Sequence, residues 1–178
     1  MIVPIRVLDI MKPFNFKSMY ELGNKKAKGQ PPYRIYYKAI NVEYTSIDLN
    51  GMDGAIKLDL RKPIDLPSRD MVANIGTAEH IMDQEAVFRN IHNLSHFRMV
   101  HWSRQAKLRP RHGCWGYEKD FFIMLAKLND YVIEKLYINK KCKYICCSYK
   151  KINNNNFIWN SKLPLFRNKH GSRGVKYR

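Results

Sequence analysis

No apolar run in these 178 residues reaches the roughly 18–20 residues that a membrane-spanning helix needs. The apolar start, MIVPIRVLDIMKPF, is broken by Pro4, Arg6, Asp9 and Lys12, and offers no clean signal-peptide core. These absences exclude a membrane protein of the helical kind and lead us to expect a cytoplasmic chain. Cysteine is scarce, and none of Cys114, Cys142, Cys146 and Cys147 forms a C-x-x-C pair. We therefore expect buried, reduced thiols and no metal site. If Cys146 and Cys147 lie on a strand, they face opposite sides of it.

Acid is absent over long stretches. Residues 135–178 hold twelve Lys or Arg and no Asp or Glu, and residues 86–117 hold six and none. The net charge of +17 is thus concentrated in one half of the chain. Such a half is either a solvated surface or a contact for polyanions, and residues 135–178 are the candidate contact.

What is present is alternation. Lys17–Leu22 reads as a short strand, and Pro32–Ile40 carries aromatic residues at helical spacing. Val42–Asp48, Ile56–Leu60, Arg69–Ile75 and Phe97–Trp102 read as further strands. Asp83 is a plausible N-cap for a helix whose apolar stripe is Val87, Ile91 and Leu94. Glu118–Asn129 reads as a helix with Phe121, Phe122, Leu125 and Leu128 inward. Tyr131–Ile138 and Lys143–Lys150 are close enough to form an antiparallel hairpin. The order argues for an α/β fold: a mostly parallel sheet with helices on both faces. We expect an extension over 1–17, a domain over 18–158 and a loosely ordered basic tail over 159–178.

In an open α/β sheet, ligands bind beyond the carboxyl ends of the strands. That rule selects Glu21, Gly23 and Asn24 after the first strand, Asp48 after the second and Asp59 after the third; Leu49 and Leu60 adjoin the two aspartates. It selects Asn74, Gly76 and Thr77 after the fourth, and His101 and Trp102 after the fifth. A carboxylate such as Asp48 can accept from both hydroxyls of a ribose, and Asp59 can accept from an exocyclic amine. Equally, Asp48 could open the Asp-Leu-Asn-Gly turn and Asp59 could cap a bend. His80, His101, His112 and Tyr117 are the candidate bases. Arg104–Tyr117 (RQAKLRPRHGCWGY) mixes four basic residues with Trp115 and Tyr117, a composition suited to stacking a base or holding an anion.

Four segments carry a resemblance: YELGNKK (20–26), YTSIDLNGMDGAIKLDLRKPI (44–64), MVANIGTAEHIMDQEAVFRNIHNL (71–94) and HGCWGYEKDFFIMLAKLNDY (112–131). Together they resemble the class I S-adenosylmethionine-dependent methyltransferases, above all small members with an N-x-G-T-x-E-H segment after the fourth strand. The resemblance implies a Rossmann-like sheet of seven strands ordered 3-2-1-4-5-7-6, the seventh antiparallel. It implies S-adenosylmethionine as cofactor, with Glu21 and Gly23 at its methionine end, Asp48 on the ribose, Asp59 and Leu60 around the adenine, and Asn74 and Gly76 beside the methyl-bearing sulfur. The methyl acceptor (small molecule, sugar or nucleic acid) is not indicated. The alternative reading is a non-catalytic, basic nucleic-acid-binding protein on the same fold.

Overall fold

A computed structural model of the protein describes Met11 and residues 14–24, 33–106, 113–139 and 143–168, without the side chains of Tyr33, Arg34 and Tyr36. The elements are β1 (Ser18–Leu22), α1 (Tyr33–Ala39), β2 (Glu43–Asp48), β3 (Ile56–Lys57), β4 (Arg69–Ile75), α2 (Gln84–Leu94), β5 (Ser95–Arg104), β6 (Trp115–Tyr117), α3 (Lys119–Leu128), β7 (Tyr131–Asn139), β8 (Tyr144–Lys151) and β9 (Leu165–Arg167). Short 3-10 turns occupy Met52–Gly54 and Ala78–His80.

Seven strands form one sheet in the order β3-β2-β1-β4-β5-β8-β7. Neighbours from β3 to β5 are parallel, and β8 runs antiparallel to both β5 and β7. With the small β6 set aside, this is the expected order, and the last strand is the expected antiparallel one. β6 instead pairs with β9 in a separate two-stranded ribbon.

The strands are apolar on both faces because both are covered. One layer, under α2 and α3, buries Tyr20, Leu22, Val72, Met99, Cys147 and Tyr149. The other, under α1, buries Met19, Met71, Ala73, Val100, Trp102 and Cys146. Cys146 and Cys147 do face opposite sides, and both are free and buried, as is Cys114. Cys142 lies outside the described residues. Asp83 caps α2, accepting from the Ala86 N–H at 3.0 Å, and Val87, Ile91 and Leu94 are buried beneath that helix. On α3, Phe121, Phe122 and Leu125 are buried, while Leu128 is only half-buried.

Several boundaries differ from the sequence reading. β3 stops at Lys57, because Asp59 and Lys62 turn the chain: the Lys62 N–H donates to the Asp59 carbonyl at 3.0 Å. β5 begins at Ser95, two residues before Phe97, where Ser95 pairs with Arg69. The stretch 159–168 is not a loose tail. Trp159 stacks on Phe88 with centroids 6.1 Å apart, Leu163 is 5% exposed, and β9 is paired. The polar and basic residues around them hid three well-spaced anchors. Residues 169–178 lie outside the described residues. Among the described residues no helix is long and apolar enough to cross a membrane.

Candidate functional site

The parallel strands β1, β2 and β4 end side by side. Glu21 is fully buried in β1, between Ser46 of β2 and Ala73 of β4 in the register. The Tyr44 hydroxyl donates to Glu21 Oε2. Burial first, and then the Glu21 charge, push the Tyr44 hydroxyl far above its ordinary range, so it remains a donor. Tyr44 in turn stacks on Tyr37 of α1, 5.4 Å between centroids.

The chain leaves β1 through Gly23 at φ +82°, with its N–H donating to the Ile47 carbonyl at 2.8 Å. Thr77, just after β4, donates its hydroxyl to the Leu22 carbonyl at 2.6 Å. The glycine is therefore needed twice over, for its dihedral and for the room that Thr77 takes.

Asp48 ends β2, half-buried. Its Oδ2 accepts from the Asn24 N–H and its Oδ1 from the Asn50 N–H, each at 2.9 Å. Asn24 is tied further by its side-chain amide, which donates to the Met52 carbonyl at 2.6 Å. A carboxylate offers about four lone-pair sites. Two are taken by the loops, so Asp48 is oriented by backbone and keeps one acceptor position on each oxygen. That donor–acceptor pattern fits a vicinal diol. Leu49 stands beside it, half-buried.

Asp59 differs. Arg61 donates to it from Nε at 2.9 Å, from Nη2 at 2.7 Å and from its backbone N–H at 3.0 Å. These bonds hold the Asp59 carboxyl below the usual carboxylate range. The bend-capping reading of Asp59 is the one the geometry bears out. Leu60 is buried, and its carbonyl accepts from the Asn90 amide of α2 at 2.9 Å.

At the end of β4, the Asn74 side chain turns inward. Its Oδ1 accepts from the Ala78 and Thr77 N–H groups at 3.0 and 3.3 Å, and its Nδ2 reaches Ser103 Oγ at 3.3 Å. It braces the turn that Gly76 makes at φ +64°, where the Gly76 N–H donates to the Trp102 carbonyl at 2.8 Å. His80 follows, half-buried at the end of the 3-10 turn.

His101 meets this site only from within the core, where its Nδ1 lies 3.4 Å from Asn74 Nδ2. It is fully buried among Phe88, Phe122 and Tyr149, with ring centroids 5.3 to 5.5 Å away. Desolvation pushes its pKa down to about 3, so it is neutral and enclosed, not a base at a ligand. Tyr117 is likewise core: it is fully buried, donates to Gln84 Oε1, and has its pKa raised by burial. Trp115 is half-buried and donates from its indole to the Met82 carbonyl at 3.1 Å. The two aromatics of the Arg104–Tyr117 segment thus serve packing, not base stacking. His112 lies outside the described residues. Part of the basic set 135–178 is committed as well: Lys151, 8% exposed, donates to the His92 and Ser95 carbonyls at 3.1 and 3.2 Å.

One feature escaped the sequence reading. Arg104 is the last residue of β5, not part of an exposed loop, and is 4% exposed. Its guanidinium lies 4.4 Å from the Tyr144 ring centroid. The strand alternation that puts Val100 and Trp102 in the α1 layer puts Arg104 there too, and that parity was available in the sequence.

No family model and no curated protein matches this sequence. Solved structures do match its fold. The 1,6-didemethyltoxoflavin-N1-methyltransferase of Burkholderia thailandensis, solved with 1,6-didemethyltoxoflavin and S-adenosylhomocysteine, superposes with a TM-score of 0.64 at 10% identity, over 84% of this chain and 78% of that one. The N-methyltransferase NodS of Bradyrhizobium japonicum with S-adenosylhomocysteine gives 0.61 at 10% identity, over 83% and 85%. A SAM-dependent methyltransferase of Aquifex aeolicus gives 0.55 at 13% identity, over 82% and 89%. The chain has the fold that these enzymes share.

Proposed function

We propose that this chain, built on the fold of the class I S-adenosylmethionine-dependent methyltransferases, binds S-adenosylmethionine at the carboxyl ends of β1, β2 and β4 and transfers its methyl group to an acceptor. One observation carries the reading: Asp48 presents two oriented oxygens with spare acceptor capacity at the end of β2.

When bound, the cofactor supplies a methyl group already activated on a sulfonium. The residues of this chain then have three tasks. Asp48 accepts from the ribose diol, with Leu49 and buried Leu60 as apolar neighbours. The β1 end, with Glu21, Gly23 and Asn24, borders the methionine part. The β4 turn, held by Asn74 through Gly76, fixes the backbone next to the methyl, so that reacting atoms are aligned and water is kept out. Asp59 has no part in this reading, since Arg61 occupies it. His80, the candidate base on the turn that follows β4, takes the proton of an acceptor that carries one at neutral pH.

The test is calorimetric titration of S-adenosylhomocysteine into wild type and Asp48→Ala. Saturable binding that weakens at least about tenfold in the variant, the scale of two lost hydrogen bonds to a charged group, supports the assignment. No binding by folded wild type would reject it. The net charge of +17 favours a second reading, a polyanion-binding protein on the same fold. Under that reading Asp48→Ala leaves binding to single-stranded DNA unchanged and no cofactor binds at all.

A further inference from the structure

Four described arginines each have an acid partner: Arg61 with Asp59, Arg69 with Glu43, Arg89 with Glu85 and Arg98 with Glu134. Arg104 has none among the described residues, yet it is far more buried, at 4% exposed. Its Nε and Nη1 are enclosed and find no acceptor among the described residues. The Tyr144 ring attracts the guanidinium through its face, but that contact supplies no acceptor for the in-plane N–H groups of Nε and Nη1. Two residues earlier, on the same side of β5, Trp102 stacks on the same Tyr144 ring, 5.4 Å between centroids, and its buried Nε1 also finds no acceptor among the described residues.

Buried donors without acceptors are costly, and a permanently charged one most of all. A folded protein tolerates such a group where a ligand completes it. The location agrees. Arg104 closes β5 at its carboxyl end, and Trp102 gives its carbonyl to the Gly76 turn that the proposed methyl site uses.

We propose that Arg104 receives an oxyanion, a carboxylate or phosphate, of a small molecule bound at the carboxyl ends of the strands. A guanidinium only donates, and its planar fork matches both groups. The inference rests on the cofactor reading for where the ligand lies. The anion belongs either to the methyl acceptor or to the methionine part of the cofactor.

The experiment follows the Trp102 indole N–H resonance, assigned with Trp102→Phe, while inorganic phosphate, S-adenosylhomocysteine or 5′-methylthioadenosine (which lacks the amino-acid part) is titrated. Phosphate is expected to shift the resonance saturably, and Arg104→Gln to weaken it at least about tenfold, the loss of a charge-assisted pair. Arg104→Lys keeps the charge but not the fork, and weakens it several-fold should the glutamine variant not fold. If S-adenosylhomocysteine displaces phosphate and 5′-methylthioadenosine does not, the anion is the cofactor's. If phosphate and S-adenosylhomocysteine bind together, it is the acceptor's. If neither nucleoside binds but phosphate still needs Arg104, the cofactor reading fails and the anion site stands. A resonance that moves with none of the three, or phosphate binding equal in wild type and variants, overturns the proposal.

Discussion

The hydroxyl oxygen of Thr77 stands 2.2 Å from the point where a side chain on Gly23 would begin. Two loops that follow non-consecutive strands are thereby locked, and the lock needs a glycine at φ +82°. Gly23→Ala is expected to cost about 2–4 kcal/mol, from backbone strain plus loss of the Thr77–Leu22 hydrogen bond. Thr77→Ala removes the colliding hydroxyl. In a double-mutant cycle read by urea unfolding, the pair should therefore cost clearly less than the sum of the singles. Strict additivity would show that the two residues do not compete for that space.

His101 gives a pH dependence of known sign. Its pKa is held at about 3 against an ordinary 6.5, so the unfolded chain takes up the proton first as pH falls. Stability is full above about 6.5 and drains away toward 3. His92, pushed down to about 4 by burial and then by the Lys151 charge, adds to the same slope. His101→Phe retains the aromatic packing and removes one titration. Relative to wild type it should gain on the order of 1–3 kcal/mol between pH 7.5 and 4. Parallel stability curves for the two proteins would contradict a neutral, buried imidazole.

The two strand-end carboxylates should behave differently. Asp59 is engaged by Arg61 on the surface, so Asp59→Ala is expected to change S-adenosylhomocysteine affinity by no more than about twofold and stability by about 0–1 kcal/mol. A tenfold loss of affinity would return Asp59 to the adenine.

Removal of residues 159–178 takes away Trp159, Leu163 and β9, and with them the partner of β6. That truncation is expected to lower stability by about 3–5 kcal/mol, the scale of losing a large buried side chain and its neighbours. A cut after Asn168 keeps those anchors and removes only Lys169, Arg173, Lys176 and Arg178 among the cations. If these cations neutralise phosphates, the log–log salt slope of single-stranded DNA binding falls by about 0.7 for each phosphate set free, and an unchanged slope rejects that role.

Much of this was legible in the residues. Buried strands announce themselves as apolar runs such as MVANI, and the four-residue NKKC gap between the last two strands fixed their antiparallel sense. Asp48 was legible as a strand-end carboxylate. Its backbone donors at Asn24 and Asn50 were not, because they depend on loop paths with no periodicity. His101 was misread because position along a strand says nothing of direction: in a sheet covered on both faces, each alternate residue enters one core or the other. β9 was illegible for a different reason. It has three residues, and its partner β6 is some fifty positions upstream, so no local pattern marks it.

The neighbouring thiols of β8 belong to opposite layers, Cys146 facing α1 and Cys147 facing α2 and α3. Burial raises both thiol pKa values, to about 12 for Cys146, which leaves each inert while its own layer stays closed. The strand therefore carries two built-in stopwatches. The alkylation rate at one sulfur times the loosening of the layer around the proposed anion site, and the rate at its neighbour times the other, within a single peptide of a single sample.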